Sequence, residues 1–290
     1  MRLRPAIKWL KLHWLLCIVI IIFATYTIIK LSQKEYFQNH QMSTYLTTEK
    51  PPMKVAILLS GRIRGYEYLK DNLKNIMDKY NPVVFCSLNK KVKSDYIKRF
   101  CEFMKIDDER LNLEVTPSVP EYFNTITPRN PAVVMDPRPE DSMMRYYSLV
   151  YHNKRTIKLV SQYQDKYNMR FNCILNYRVD LNPSDDLLLE VPEENTIYIS
   201  NYDGNPHEHA EQGGITAAVY YGNFDTMKIV ESRVDQLKDI TERDGIPFGV
   251  SETSLKKHIE NNRIIIKRFQ YKFSFHESRH IPNPEYDSYD

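Results

Sequence analysis

The stretch Asn172-Cys173-Ile174-Leu175-Asn176-Tyr177-Arg178-Val179-Asp180-Leu181 decides how this chain is read. Its apolar run, Cys173 to Leu175, leads within a few residues to an arginine and a carboxylate two positions apart. A short apolar run bounded by polar residues predicts a buried strand over 172–177. In open α/β sheets ligands bind beyond the carboxyl ends of strands. Asp180 at such an end has the chemistry to hold a divalent cation, and Arg178 the chemistry to meet phosphate oxygens. Arg-x-Asp at a strand end is also a common surface ion pair, and spacing alone leaves both readings open.

Outward from this stretch, strands alternate with helices. Continuous apolar runs predict strands over 55–59 and 82–87, and alternation predicts one over 111–115. Further strands are expected over 196–200, 216–221 and 264–266. Apolar residues at spacings of three and four predict helices over 68–80, 92–104, 140–167, 225–240 and 251–261. On the helix over 225–240, Met227, Val230, Val234 and Leu237 fall in register. Six prolines between residues 116 and 139 predict a long loop. The alternation implies one α/β domain over 53–275, with a largely parallel mixed sheet covered by helices on both faces.

The N-terminal part is different. Residues 12–29 carry no Lys, Arg, Asp or Glu, and Arg2, Arg4, Lys8 and Lys11 precede them. This length and flank pattern predict an uncleaved transmembrane signal anchor over 12–30, with a cytoplasmic tail over 1–11. A polar stem is expected over 31–52, closing with Pro51-Pro52, and an extended tail over 276–290. The expected protein is a single-pass type II membrane protein whose domain lies on the lumenal or extracytoplasmic side. Six of the 40 basic side chains and none of the 37 acidic ones fall in residues 1–34, so the remainder carries a formal −3. The basic character belongs to the anchor, and no nucleic-acid footprint is expected in the domain. The four cysteines fall in apolar runs and do not read as a disulfide framework.

Three other segments carry chemistry. Ser60-Gly61-Arg62-Ile63-Arg64-Gly65 joins the first strand to a helix and combines glycines with two arginines, a phosphate-binding composition. Its spacing is neither a dinucleotide fingerprint nor a P-loop, and a tight turn with exposed arginines is the other reading. The loop over 201–214 holds Asp203, His207 and His209. His-x-His lacks a third zinc ligand, so a metal site and a solvated turn both stand, while Asp203 is a substrate-binding candidate. Glu252 opens the last helix, as a first-turn acid favoured by the helix dipole or as a general base.

Several stretches, in order over residues 54–266, carry a resemblance. They are Leu58-Leu59-Ser60-Gly61-Arg62-Ile63-Arg64, the aromatic helix Met143-Met144-Arg145-Tyr146-Tyr147-Ser148-Leu149, Tyr177-Arg178-Val179-Asp180-Leu181, Gly222-Asn223-Phe224-Asp225-Thr226-Met227, and Ser251-Glu252 followed by Asn261-Asn262. In this order the chain resembles small glycosyltransferase-like proteins related to the WavE lipopolysaccharide-synthesis family. The resemblance implies a GT-A-type, Rossmann-like transferase. Such an enzyme takes a nucleotide-diphospho-sugar donor and a glycan or glycoconjugate acceptor. It implies donor binding by Ser60, Gly61, Arg62, Arg64, Tyr147, Arg178 and Asp180. It also implies Mn²⁺ or Mg²⁺ at Asp180 and a carboxylate base, for which Glu252 and Asp203 are the candidates. One carboxylate stands where the usual motif has two, so Asp180 needs a partner, with His207, His209 or a bound water as the candidates. Two departures are visible. Thr216-Ala217-Ala218 has no acid where the family often has Asn-Asp, and Ser251 replaces the proline before the glutamate. They keep open a non-catalytic glycan- or nucleotide-binding protein. A sulfotransferase is the third reading, although Ser60–Gly65 carries arginine where a Lys/Ser-rich phosphate loop is wanted.

Overall fold

The computed structural model describes residues 53–60, 70–89, 94–104, 110–116, 139–201, 215–246 and 251–275. The chain divides into two compact units, 1–52 and 53–290. The expected anchor and stem, residues 117–138 of the expected loop, and the tail over 276–290 lie outside the described residues. Among the described residues no helix is long and apolar enough to cross a membrane.

The second unit is α/β. Its elements are β1 (Val55–Ser60), α1 (Lys70–Tyr80), β2 (Val83–Asn89), α2 (Ser94–Met104), β3 (Leu111–Thr116), α3 (Pro139–Tyr167), β4 (Cys173–Tyr177), β5 (Leu181–Pro183), β6 (Thr196–Ser200), β7 (Val219–Gly222), α4 (Phe224–Glu231), a 3₁₀ segment (Ser232–Gln236), α5 (Leu237–Glu242), α6 (Ser251–Asn261), β8 (Ile265–Phe269) and β9 (Phe273–Phe275). Seven strands form one mixed sheet in the order β3-β2-β1-β4-β7-β6-β8. β1 is parallel to both β2 and β4, and β2 to β3. β7 runs antiparallel to β4 and to β6, whereas β6 and β8 are parallel.

The strands read as continuous apolar runs because both faces of the sheet are covered. Val55, Ile57 and Leu59 of β1 pack with Leu73, Ile76 and Met77 of α1 and with Phe100 of α2. Ala56 and Leu58 pack on the other face with Ile157 and Val160 of α3, Met227 and Val230 of α4, and Leu255 and Ile259 of α6. Gly222 ends β7 where a Cβ would stand 3.2 Å from the Thr196 carbonyl and 3.3 Å from Met227 Cγ. Asn223 then caps α4, its side-chain oxygen accepting from the Thr226 N–H at 2.8 Å.

Two expectations are corrected, and one element is new. Residues 216–218 precede β7 rather than belonging to it. The helix expected over 225–240 is interrupted by the 3₁₀ segment, where Ser232 Oγ donates back to the Ile229 carbonyl at 2.7 Å and offers the backbone an alternative to the α-helical ladder. A second sheet, β5 paired antiparallel with β9, was not anticipated.

Candidate functional site at the carboxyl edge of the sheet

The chain winds from β1 outward through β2 and β3, then returns to place β4 on the other side of β1. The carboxyl ends of β1 and β4 therefore flank the point where strand order reverses, the usual ligand crevice of open α/β sheets. β1 ends in Ser60, and β4 runs into Arg178 and Asp180. The β1–β4 register ends at Leu58 and Asn176, so Ser60 and Arg178 each lie two residues beyond the last pair, at the same edge of the sheet.

The Arg178 backbone is fixed by its N–H donating to the Ala218 carbonyl at 3.1 Å. Its guanidinium grips Asp180 with Nε 2.9 Å from one carboxylate oxygen and Nη2 2.6 Å from the other. The Asp180 side chain is 13% exposed and that of Arg178 36%, so the pair is mostly shielded but the guanidinium still meets solvent. The turn that carries them is pinned from both sides. Upstream, Tyr177 is buried and its hydroxyl meets that of Tyr271 at 3.0 Å. Downstream, Leu181 pairs with Phe275 in the small second sheet.

Side chains alternate along a strand, so Ser60, Ser87 and Asn176 follow Leu58, Phe85 and Ile174 on the α3 face. Apolar packing on that face thus gives way to polar groups as the strands reach their carboxyl ends. Ser60 pairs with Ser87 in register, and its buried hydroxyl has no hydrogen-bond partner among the described residues. Ser87 Oγ lies 2.9 Å from His152 Nδ1 on α3. Burial lowers the His152 pKa to about 4, so its imidazole is neutral near pH 7.

α3 returns from β3 to β4 and so runs against the strands. From His152 back to Tyr146 is six residues, about 9 Å of helix rise, which carries Tyr146 toward the carboxyl edge. There its hydroxyl hydrogen-bonds Ser254 of α6. Glu252 lies in the first turn of α6, its carbonyl accepts from the Ile215 N–H at 3.3 Å, and its charge reaches the Tyr146 phenol.

Beneath α6 lie two buried ionisable side chains that the sequence reading missed. Glu231 and Arg233 are both 2% exposed. Tyr220 donates to Glu231 Oε2 at 3.2 Å. Burial, only partly offset by Arg233, Tyr220 and Asn153, raises the Glu231 pKa to about 7. Arg233 donates from Nη1 to the Ser251 carbonyl at 3.0 Å and lies 5.8 Å from the Tyr146 ring centre. Two charges lying between the buried Val230 and Val234 were the available signal, but charges on a helix ordinarily read as a solvated face.

The remaining site candidates divide as follows. Tyr147 is 1% exposed and stacks on Tyr151 at 6.4 Å, which makes it packing under the edge. Gly61, Arg62, Arg64, Asp203, His207 and His209 lie outside the described residues. For a divalent cation the described donor set does not fit. No group of three or more His, Cys, Asp or Glu converges among the described residues, and both oxygens of Asp180 already accept from Arg178. Cys86 and Cys173 are buried, and burial pushes both thiols up, away from reactive thiolate.

Compared with known proteins, the chain matches no family model and no curated relative.

Proposed function

We propose that the chain is a GT-A-type glycosyltransferase that moves a sugar from a nucleotide-diphospho-sugar to a glycan, lipid or protein acceptor. The observation that supports this most is the position of Ser60, Arg178 and Asp180 together at the reversal of strand order, where open sheets bind ligands. In the proposed reaction the acceptor hydroxyl oxygen forms a bond to the anomeric carbon. The bond from that carbon to the β-phosphate oxygen breaks, and the electron pair leaves with the nucleoside diphosphate. The acceptor proton passes to a carboxylate, for which Glu252 is the described candidate and Asp203 the other. The half-exposed Arg178 guanidinium meets the negative charge that grows on the leaving diphosphate. Ser60 offers a hydroxyl to the same diphosphate.

Mn²⁺ or Mg²⁺ remains the proposed cofactor. It requires donors beyond Asp180, and those proposed, His207 and His209, belong to a segment outside the described residues, so no step is routed through it. The proposed setting is a type II membrane protein held by residues 12–30, with the domain lumenal or extracytoplasmic.

One observation favours a second reading, a non-catalytic nucleotide- or glycan-binding protein. The grip of Arg178 on Asp180 leaves the carboxylate oxygens occupied, as in a purely structural ion pair. The two readings separate in one assay. The purified full-length chain is given UDP- and GDP-sugars, with and without Mn²⁺, and nucleoside diphosphate release is followed. The transferase reading expects release that Asp180→Ala abolishes. Donor binding without release, indifferent to metal, supports the second reading instead.

A further inference from the structure

We infer that Arg233 and Tyr146 are positioning residues for Glu252. The inference rests on the proposed role of Glu252 as the base.

Burying two ionisable side chains costs free energy, and Glu231 and Arg233 form no salt bridge with each other that would offset it. Glu231 and Arg233 therefore call for another account, and their contacts supply one. Arg233 Nη1 donates to the carbonyl of Ser251, the residue before Glu252. Ser254 Oγ donates to the same carbonyl at 3.0 Å and hydrogen-bonds the Tyr146 hydroxyl. The Tyr146 ring lies beside the Arg233 guanidinium. Both sides of Glu252 are thus tied to one buried group of charges and hydroxyls.

That group is anchored elsewhere. Glu231 lies close enough to feel the Arg233 charge and is held by Tyr220 of β7 and Asn153 of α3. Further along α6, His258 contacts the Ile229 carbonyl through Nε2 at 2.8 Å and Gln236 Oε1 through Nδ1 at 3.2 Å. The first turn of α6 is consequently held to α3 through Tyr146 and to the segment over 229–236 through Arg233, elements that pack on one face of the sheet. A base must sit within hydrogen-bond reach of the proton it takes, and a misplacement of about 1 Å costs on the order of 10²-fold in rate. A rigid, desolvated mount for the Ser251–Ser254 turn meets that requirement.

The test compares Glu252→Gln, Arg233→Lys and Tyr146→Phe in the full-length chain, reading nucleoside diphosphate release from UDP- and GDP-sugars. Circular dichroism establishes folding, and Tyr146→Phe keeps the test open where Arg233→Lys fails to fold, because it removes one hydroxyl and little volume. The expected result is loss of turnover in Glu252→Gln, with a fall in kcat of about tenfold or more in the other two and donor KM within about twofold of the unmodified chain. Unchanged kcat in both positioning variants, with Glu252→Gln inactive, overturns this inference and leaves the transferase reading standing. A raised KM at constant kcat overturns it as well, since that marks a donor contact. Full turnover in Glu252→Gln removes Glu252 as the base, and this inference with it. No release by the unmodified chain overturns the transferase reading itself.

Discussion

Arg178 closes on Asp180 through two hydrogen bonds, one from Nε at 2.9 Å and one from Nη2 at 2.6 Å. The partners differ in burial, with side chains 36% and 13% exposed, so the two deletions are expected to differ. Arg178→Ala strips donors from a mostly buried carboxylate, a loss of about 1–3 kcal/mol. Asp180→Ala leaves a guanidinium that water can reach and costs about 1 kcal/mol or less. Urea unfolding of both variants checks the order. Equal costs would contradict the asymmetry.

Among the described residues, three buried groups contribute a pH dependence of stability between about pH 4 and 7. Glu231 titrates at about 7 when folded against 4.5 ordinarily, so the folded chain keeps a proton the unfolded chain has lost, and stability falls as pH rises from 4.5 to 7. His152 and His258 titrate at about 4 against 6.5, so the unfolded chain binds protons first, and stability falls as pH drops from 6.5 to 4. Each group contributes about 1.4 kcal/mol per pH unit. The two histidines thus raise stability as pH climbs toward 6.5, and Glu231 opposes them up to about 7. Glu231→Gln is expected to remove the fall, making the variant relatively more stable at pH 8 than at pH 5. Urea midpoints at the two pH values decide it.

The Tyr177–Tyr271 hydroxyl pair, 3.0 Å apart and buried, anchors the turn that carries Arg178. Either single change to Phe leaves one buried hydroxyl without this partner, at a cost of about 1–3 kcal/mol. Changing both removes the mismatch, so the double variant is expected to lose less than the sum, with coupling of at least about 0.5 kcal/mol. Additive costs in a double-mutant cycle would show that the hydroxyls act separately.

Gly222→Ala tests the junction of β7 and α4. The new Cβ would crowd the Thr196 carbonyl and Met227 Cγ. Met227 can shift, but the carbonyl belongs to the β6 backbone, and overpacking of this kind costs about 1–3 kcal/mol. A thermal melt at or above that of the unmodified chain would show that the sheet yields at this point.

What the sequence disclosed follows from physical scale. β1, β4 and β6 were legible because continuous apolar runs need burial on two faces, and α3 because its apolar stripe is long. The direction of β7 was not legible, since four buried residues look alike in a parallel or antiparallel neighbour. β5 and β9 escaped because three residues, one of them Pro183, carry too little periodicity. At the site, Ser60, Arg178, Asp180 and Glu252 could be named because strand ends and helix starts leave local signatures. The Arg178–Asp180 ion pair had to stay one of two readings, because spacing fixes neighbours but not side-chain geometry. Ser87 with His152, and Glu231 with Arg233, were hidden. The first is a contact between residues 65 apart in sequence, and the second is two ionisable side chains buried by tertiary packing.

The central claim is that the β1–β4 crevice turns over a nucleotide-sugar donor. The most direct measurement is nucleoside diphosphate release by the purified full-length chain across UDP- and GDP-sugars with Mn²⁺, set against Asp180→Ala and Arg178→Ala variants shown to be folded. The expected result is release from at least one donor, reduced tenfold or more, about 1.4 kcal/mol in transition-state stabilisation, by each variant. Release that neither variant alters, or no release from any donor, would contradict it.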